Sequence, residues 1–190
     1  MMNIMETKDL HFSYPSARAA LEDINLLVKR GEFLGILGAN GSGKTTLLKI
    51  LNGLLKATKG EVYLEGENIK SIHKDSLFRR VCTCFQNPDD QLFSSTVGED
   101  IAFGPTNMGL DKEEIKRRID YALNAVEMPE FFDRPIHNLS FGEKKRICLA
   151  GVLAMGPEMM LLDECTSCLD PIGVNSIMQL LKKLNKEKGI

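Results

Sequence analysis

Three stretches of the chain hold residue types whose spacing could do chemistry. The first is Gly38-Ala39-Asn40-Gly41-Ser42-Gly43-Lys44-Thr45. Its glycines let backbone N–H groups curl around a polyphosphate without Cβ clashes, and a helix starting at its end would aim a positive terminus at the anion. The spacing G-x-x-x-x-G-K-T brings Lys44 to the outer phosphates and sets the Thr45 hydroxyl on Mg²⁺. The second stretch is Asp163-Glu164, which follows the apolar run Met159-Met160-Leu161-Leu162. Asp163 suits a Mg²⁺ shell and Glu164 suits polarisation of an attacking water. Alone, such a pair is also what a solvated turn looks like; beside a complete phosphate loop it reads as the hydrolytic half of a nucleotide site. The third is Leu139-Ser140-Phe141-Gly142-Glu143-Lys144-Lys145-Arg146. Here Ser140 and Glu143 have the spacing of a capping box, which starts a helix. A helix start with free N–H groups is also an anion site, and both readings hold together.

These residues need elements to position them. The apolar run 33–37 enters the phosphate loop and reads as a central parallel strand. The segment 44–55, with Leu47, Leu48, Leu51 and Leu55 at helical spacing, reads as the helix that leaves it. Upstream, 8–14 and 24–28 read as strands, and 61–69, with Gly66, Glu67 and Asn68 as turn residues, closes an N-terminal antiparallel sheet. A short helix near 75–80 precedes a buried strand at 81–85. From 96 to 157 the pattern is helical. Asp111 and Glu114 have capping spacing ahead of Ile115, Ile119, Ala122 and Val126, and a further helix covers about 140–155. A strand at 159–162 and a helix at about 172–187 complete the reading.

Composition limits what such a chain does. The sequence has 190 residues, 24 basic and 26 acidic side chains and 43% hydrophobic residues, the make-up of one ordinary domain rather than of a disordered or fibrous chain. A net charge of -2 without a basic half argues against nucleic acid as partner. The clusters Arg79-Arg80, Lys116-Arg117-Arg118 and Lys144-Lys145-Arg146 read as solvated helix faces. The longest stretch free of Asp, Glu, Lys and Arg is eleven residues, as in 33–43, against the roughly 18 needed to span a bilayer. The N-terminus lacks the apolar core of a secretory signal, so a cytoplasmic setting is expected. The five cysteines read as reduced, small hydrophobic side chains, Cys165 and Cys168 included.

With these motifs in order, the chain resembles the ABC ATPases, and the resemblance covers essentially its whole length. It implies an α/β P-loop NTPase with an N-terminal antiparallel β subdomain, a mostly parallel core sheet and a helical signature subdomain within about 86–157. It further implies that ATP and Mg²⁺ are the cofactors. Gly38, Ala39, Asn40, Gly41, Ser42, Gly43, Lys44, Thr45 and Thr46 would cradle the phosphates. Tyr14 stands where the family stacks an aromatic on adenine, although a strand-face tyrosine needs no such role. Gln86 resembles the family's Q-loop glutamine, which meets Mg²⁺ and the water; read alone it is a loop glutamine. Lys44, Gln86 and Glu164 would be the catalytic side chains, and Thr45, Gln86 and Asp163 would hold the metal. The stretch 139–146 stands where the LSGGQ signature lies, so Ser140 and Gly142 would face ATP held by a second ATPase subunit in a head-to-tail dimer. Ser167-Cys168-Leu169-Asp170 resembles the D-loop; without the family, Asp170-Pro171 reads as a helix start.

The segments 85–93 and 96–104 are similar to ATPases of energy-coupling-factor importers, particularly the cobalt and nickel type. That implies an integral-membrane T component, whose coupling helix Asp89 and Asp90 would suit, a separate substrate-binding S component, and a place on the cytoplasmic face of the membrane. Soluble ABC proteins that act on DNA or ribosomes fit less well, since no coiled-coil heptads occur between Thr45 and Ser140. Three residues depart from the family pattern: Phe141 replaces a glycine, Glu143 a glutamine and Cys165 a proline. The family's switch histidine is expected roughly 30 residues after Glu164, whereas the sequence ends 26 residues after it. None of His11, His73 and His137 takes that place, so a C-terminally truncated domain is expected. These departures motivate an alternative, a nucleotide-binding module without effective hydrolysis.

Overall fold

Alternating burial builds the first sheet. In β1 (Asn3–Ser13) the residues Met5, Thr7, Leu10 and Phe12 are buried, and β1 lies between β2 (Ala19–Lys29) and β3 (Lys59–Leu64), antiparallel to both. β4 (Glu67–Asn68) completes the order β2-β1-β3-β4. The structure, a computed structural model, describes residues 3–15 and 19–190. The chain divides into two compact units: Met1–Val81 with Asn185–Ile190, and Cys82–Leu184.

The β1–β2 ladder shifts register four times, and the two central slips compensate each other. Thr7 faces Leu26, Leu10 faces Ile24 and Phe12 faces Leu21, so each strand contributes one extra residue in turn. Asp9 and Asp23 absorb the central slips with φ of 47° and 49°. Asn25 secures both: its Oδ1 accepts the Asp9 N–H at 2.9 Å, and its Nδ2 donates to Asp23 Oδ1 at 2.9 Å. Gly60 crosses the Asp9 bulge from β3 at φ +79°, where a Cβ would stand 2.2 Å from the Asp9 carbonyl oxygen, so no side chain is tolerated there. The turn between β3 and β4 is Glu65-Gly66, both left-handed as a tight hairpin requires, so Glu67 and Asn68 are strand rather than turn. The Glu65 carboxylate is held by Arg30 and by Arg80 at 2.6 Å. Arg80, at the end of α2 (Lys74–Arg80), is thus a structural cation rather than part of a solvated face.

Two expectations within this unit are corrected. Residues 33–37 form no strand; they join no ladder, and Leu37 is 97% exposed. An apolar run signals a demand for burial but does not supply the neighbouring strand that would make it a ladder. Helix α1 (Lys44–Leu51) stops before Leu55. Gly53 turns left-handed at φ 78°, and the Asn52 side chain accepts the Leu54 N–H at 3.0 Å, offering the backbone a turn in place of another helical bond.

In the second unit, β5 (Val81–Cys84) and β6 (Met159–Leu162) pair as a parallel two-stranded sheet. The helical region between them holds three α-helices and short 3-10 turns. α3 (Val97–Asn107) starts from a Thr96–Glu99 capping box, and α4 (Lys112–Ala125) starts where Asp111 accepts the Glu114 N–H. α5 (Phe141–Met155) starts from the Ser140–Glu143 box and ends at left-handed Gly156. α5 is the core of this unit, with Ile147, Cys148, Leu149 and Ala150 all at most 1% exposed. α6 (Pro171–Lys188) follows, its start fixed by the Gly173 N–H donating to Asp170 Oδ1 at 2.6 Å. Among the described residues, no helix is long and apolar enough to cross a membrane.

Candidate functional site

The phosphate loop belongs to the first unit. Gly43 caps α1 in the left-handed region at φ 90°, and a Cβ on it would lie 2.5 Å from the Ala20 carbonyl oxygen of β2. Glycine is therefore required twice over, by conformation and by space. No acid stands in the first turn of α1 and Gly43 brings no side-chain cap, so the helix presents its positive end at the loop. Lys44 folds back over the loop, its Nζ donating to the carbonyls of Gly38 and Ala39 at 3.0 Å each, and the Ser42 N–H closes a turn onto Ala39. The lysine thus lies against the carbonyls of its own loop. Gly41, Ser42 and Asn40 are exposed, and Thr45 is half-buried in the first turn of α1. Tyr14 is 40% exposed, packs edge-on against Phe12 and shares a 3.1 Å hydroxyl contact with Thr46, which brings the expected adenine-stacking ring to the helix that leaves the loop.

The acidic pair belongs to the second unit. Asp163 is 7% exposed and its N–H donates to the Cys84 carbonyl at 3.0 Å, extending the β5–β6 pairing by one residue. Glu164 is exposed, with φ 47°, a costly backbone state for a non-glycine residue. Gln86, just past β5, donates from Nε2 to Glu164 Oε2 at 2.7 Å. The two side chains expected to handle the water thus meet, although 78 residues separate them.

The expected signature lies at the start of α5. The Glu143 carboxylate accepts both the Ser140 hydroxyl and the Ser140 N–H at 2.7 Å, and those two bonds, the hydroxyl's first, hold its pKa below the usual range. Its negative charge is therefore turned back on the helix start and solvated within the cap. Gly142 is open, the nearest neighbour to a Cβ being Leu169 at 3.7 Å. Asp89, expected to await an outside partner, already takes the Lys144 ammonium at 2.6 Å.

Sequence reasoning missed Lys145, which reads as part of a solvated face but is 1% exposed. Its Nζ donates to the carbonyls of Gln86 at 2.8 Å and Glu164 at 2.9 Å and to Ser167 Oγ at 3.3 Å. One signal was available: Lys145 shares the i, i+3, i+4, i+7 stripe of Cys148, Leu149 and Val152, the buried face of α5. Arg146 and Arg118 also leave solvent, donating to the Val126 carbonyl and to those of Ala154 and Met155. Cys82, Cys84 and Cys148 are buried as expected, and burial pushes Cys82 up to about 12 and Cys165 up to about 11, whereas Cys168 is exposed and is no core side chain.

Comparison with known proteins bears on both halves. The ABC transporter family model matches residues 21–167. The energy-coupling factor transporter ATP-binding protein EcfA of Methanocaldococcus jannaschii is 52% identical over 98% of this chain and 67% of its own length. Among solved structures, cbiO1 of Clostridium perfringens, part of the ABC transporter complex cbiONQ, superposes with a TM-score of 0.92 at 43% identity, covering 100% of this chain and 76% of that one. The ATP-binding cassette MJ0796, a dimer in a post-hydrolysis state with ADP and phosphate, gives a TM-score of 0.84 at 32% identity over 97% and 84% of the two chains. The chain spans between 60% and 70% of the length of the curated relatives it matches.

Proposed function

Since the chain belongs to the ABC transporter ATP-binding family, and within it to the energy-coupling-factor type, we propose that it binds ATP with Mg²⁺ and hydrolyses it to power an importer of cobalt or another micronutrient. The donors present fit that ligand: a loop of exposed backbone, a lysine folded into it, and an uncompensated helix start are what a polyphosphate needs. Thr45, Asp163 and Gln86 are hard oxygen donors of the kind Mg²⁺ takes. When bound, the ion neutralises charge on the phosphates.

Each side chain has a distinct task in this reading. Lys44 and the amides of 38–46 bind and orient the phosphates, and Tyr14 packs on the base. Glu164 accepts the proton of the attacking water, while Gln86 orients that carboxylate through their direct bond. Ser140 and Gly142 of one ATPase subunit close the site of the other in a head-to-tail pair. A T component with its S component then takes up the work at the cytoplasmic face of the membrane. The observation that supports the reading best is the 2.7 Å bond between Gln86 and Glu164 at the end of the strand pair. The dimeric, ADP-bound relative supports the paired arrangement.

The test is Mg²⁺-dependent ATP hydrolysis with Glu164→Gln as control. Loss of the base is expected to slow turnover by about 10²- to 10⁴-fold while ATP still binds. Bound ATP with no turnover in the unaltered protein would instead favour the binding-only module.

A further inference from the structure

An ammonium with almost no solvent contact sits one turn inside α5, and its three hydrogens meet three oxygens from two separate segments, one at Gln86 and one spanning Glu164 to Ser167. Two of those oxygens are the main-chain carbonyls of Gln86 and Glu164, the residues whose side chains meet 2.7 Å apart. The third, Ser167 Oγ, itself donates to the Glu164 carbonyl at 2.8 Å, and the Ser167 N–H donates to the same carbonyl at 2.9 Å. One carbonyl oxygen thus collects three donors at a residue held at φ 47°. A non-glycine backbone persists in that region only when its surroundings over-determine it, and Lys145 with Ser167 does so here. Phe141, one turn earlier on α5, lays its ring 5.4 Å from the ammonium. The departure from glycine at 141 thereby supplies an aromatic face to the buried cation.

We propose that Lys145 is a positioning residue: it fixes the backbone of the Gln86 and Glu164 segments relative to α5, so that the carboxylate and carboxamide of those residues are held for the water. The proposal rests on the hydrolytic reading above for its kinetic consequence, but not for its structural one.

The experiment uses the full chain carrying Lys145→Met, which keeps the side-chain length and removes every donor. Turnover of ATP is expected to fall about 10- to 100-fold, with the dissociation constant of a fluorescent ATP analogue changed less than about twofold. In hydrogen exchange, the Asp163 and Ser167 amides should open about tenfold faster while those in the middle of α5 keep their protection. Unchanged turnover, or unchanged exchange at Asp163 and Ser167, overturns the proposal. If Lys145→Met fails to fold, Ser167→Ala decides, since it keeps the lysine and removes one acceptor: faster exchange at Asp163 supports the clamp, and wild-type exchange overturns it. If the unaltered protein shows no Glu164-dependent turnover, the hydrolytic reading falls and the exchange result alone decides on Lys145.

Discussion

Single residues carry two kinds of constraint, and they differ in how they can be read. Gly43 is required both by its φ of 90° and by the Ala20 oxygen 2.5 Å from any Cβ. Gly43→Ala is therefore expected to cost upward of about 1 kcal/mol of stability and to abolish nucleotide binding, measured by thermal unfolding and by equilibrium titration with ATP. That requirement was legible in the sequence, because a phosphate loop does its work through contiguous residues and its motif is local. So was the acidic pair at the end of an apolar strand. Lys145 was not legible as a buried cation, since its acceptors lie 59, 19 and 22 residues away and only the fold brings them to it. Nor could the sequence tell where the Glu143 charge points; the answer is a bond geometry, the carboxylate drawn onto the hydroxyl and amide of Ser140.

At the scale of elements, capping chemistry made the helices readable. Asp111–Glu114 and Ser140–Glu143 each mark a real start, because the orphan N–H groups of a first turn must be satisfied locally, while the Thr96–Glu99 box that opens α3 went unread. The segment 33–37 was misread for the complementary reason: a strand is defined by its neighbour. The link between α4 and α5 is electrostatic as well as apolar. Glu114 accepts a two-pronged bond from Arg117 and one from Arg118, and Arg118 reaches on to the last carbonyls of α5. Those two arginines, Arg117 first, hold the Glu114 carboxyl down to about 2 from its ordinary 4.5. Because the folded value is the lower one, the contribution is complete above about 4.5 and disappears as the pH falls through about 2. Carboxyl-carbon NMR should place the Glu114 midpoint near 2, and Arg118→Met should raise it; a midpoint at the ordinary value in the unaltered protein would contradict the clamp.

For the molecule as a whole, the consequence of pairing is kinetic. If each site is completed by Ser140 and Gly142 of a second subunit, specific hydrolytic activity rises with protein concentration and then saturates, with sedimentation tracking the same transition. Activity independent of concentration, with a monomer in the centrifuge, would contradict the paired site. Fold class was the most legible property at this scale, since the order phosphate loop, helix, signature, acidic strand holds even though the strand expected at 33–37 does not form. The bulges of the first sheet have a consequence of another kind. Among the described residues β2 is an eleven-residue strand with a neighbour on only one side of its sheet, the kind of edge that templates cross-β aggregation. Its register slips, with Glu22 and Asp23 at one of them, break that edge into short, charged runs. The irregularity that Asn25 holds in place thus also makes that edge a poor template for a second strand.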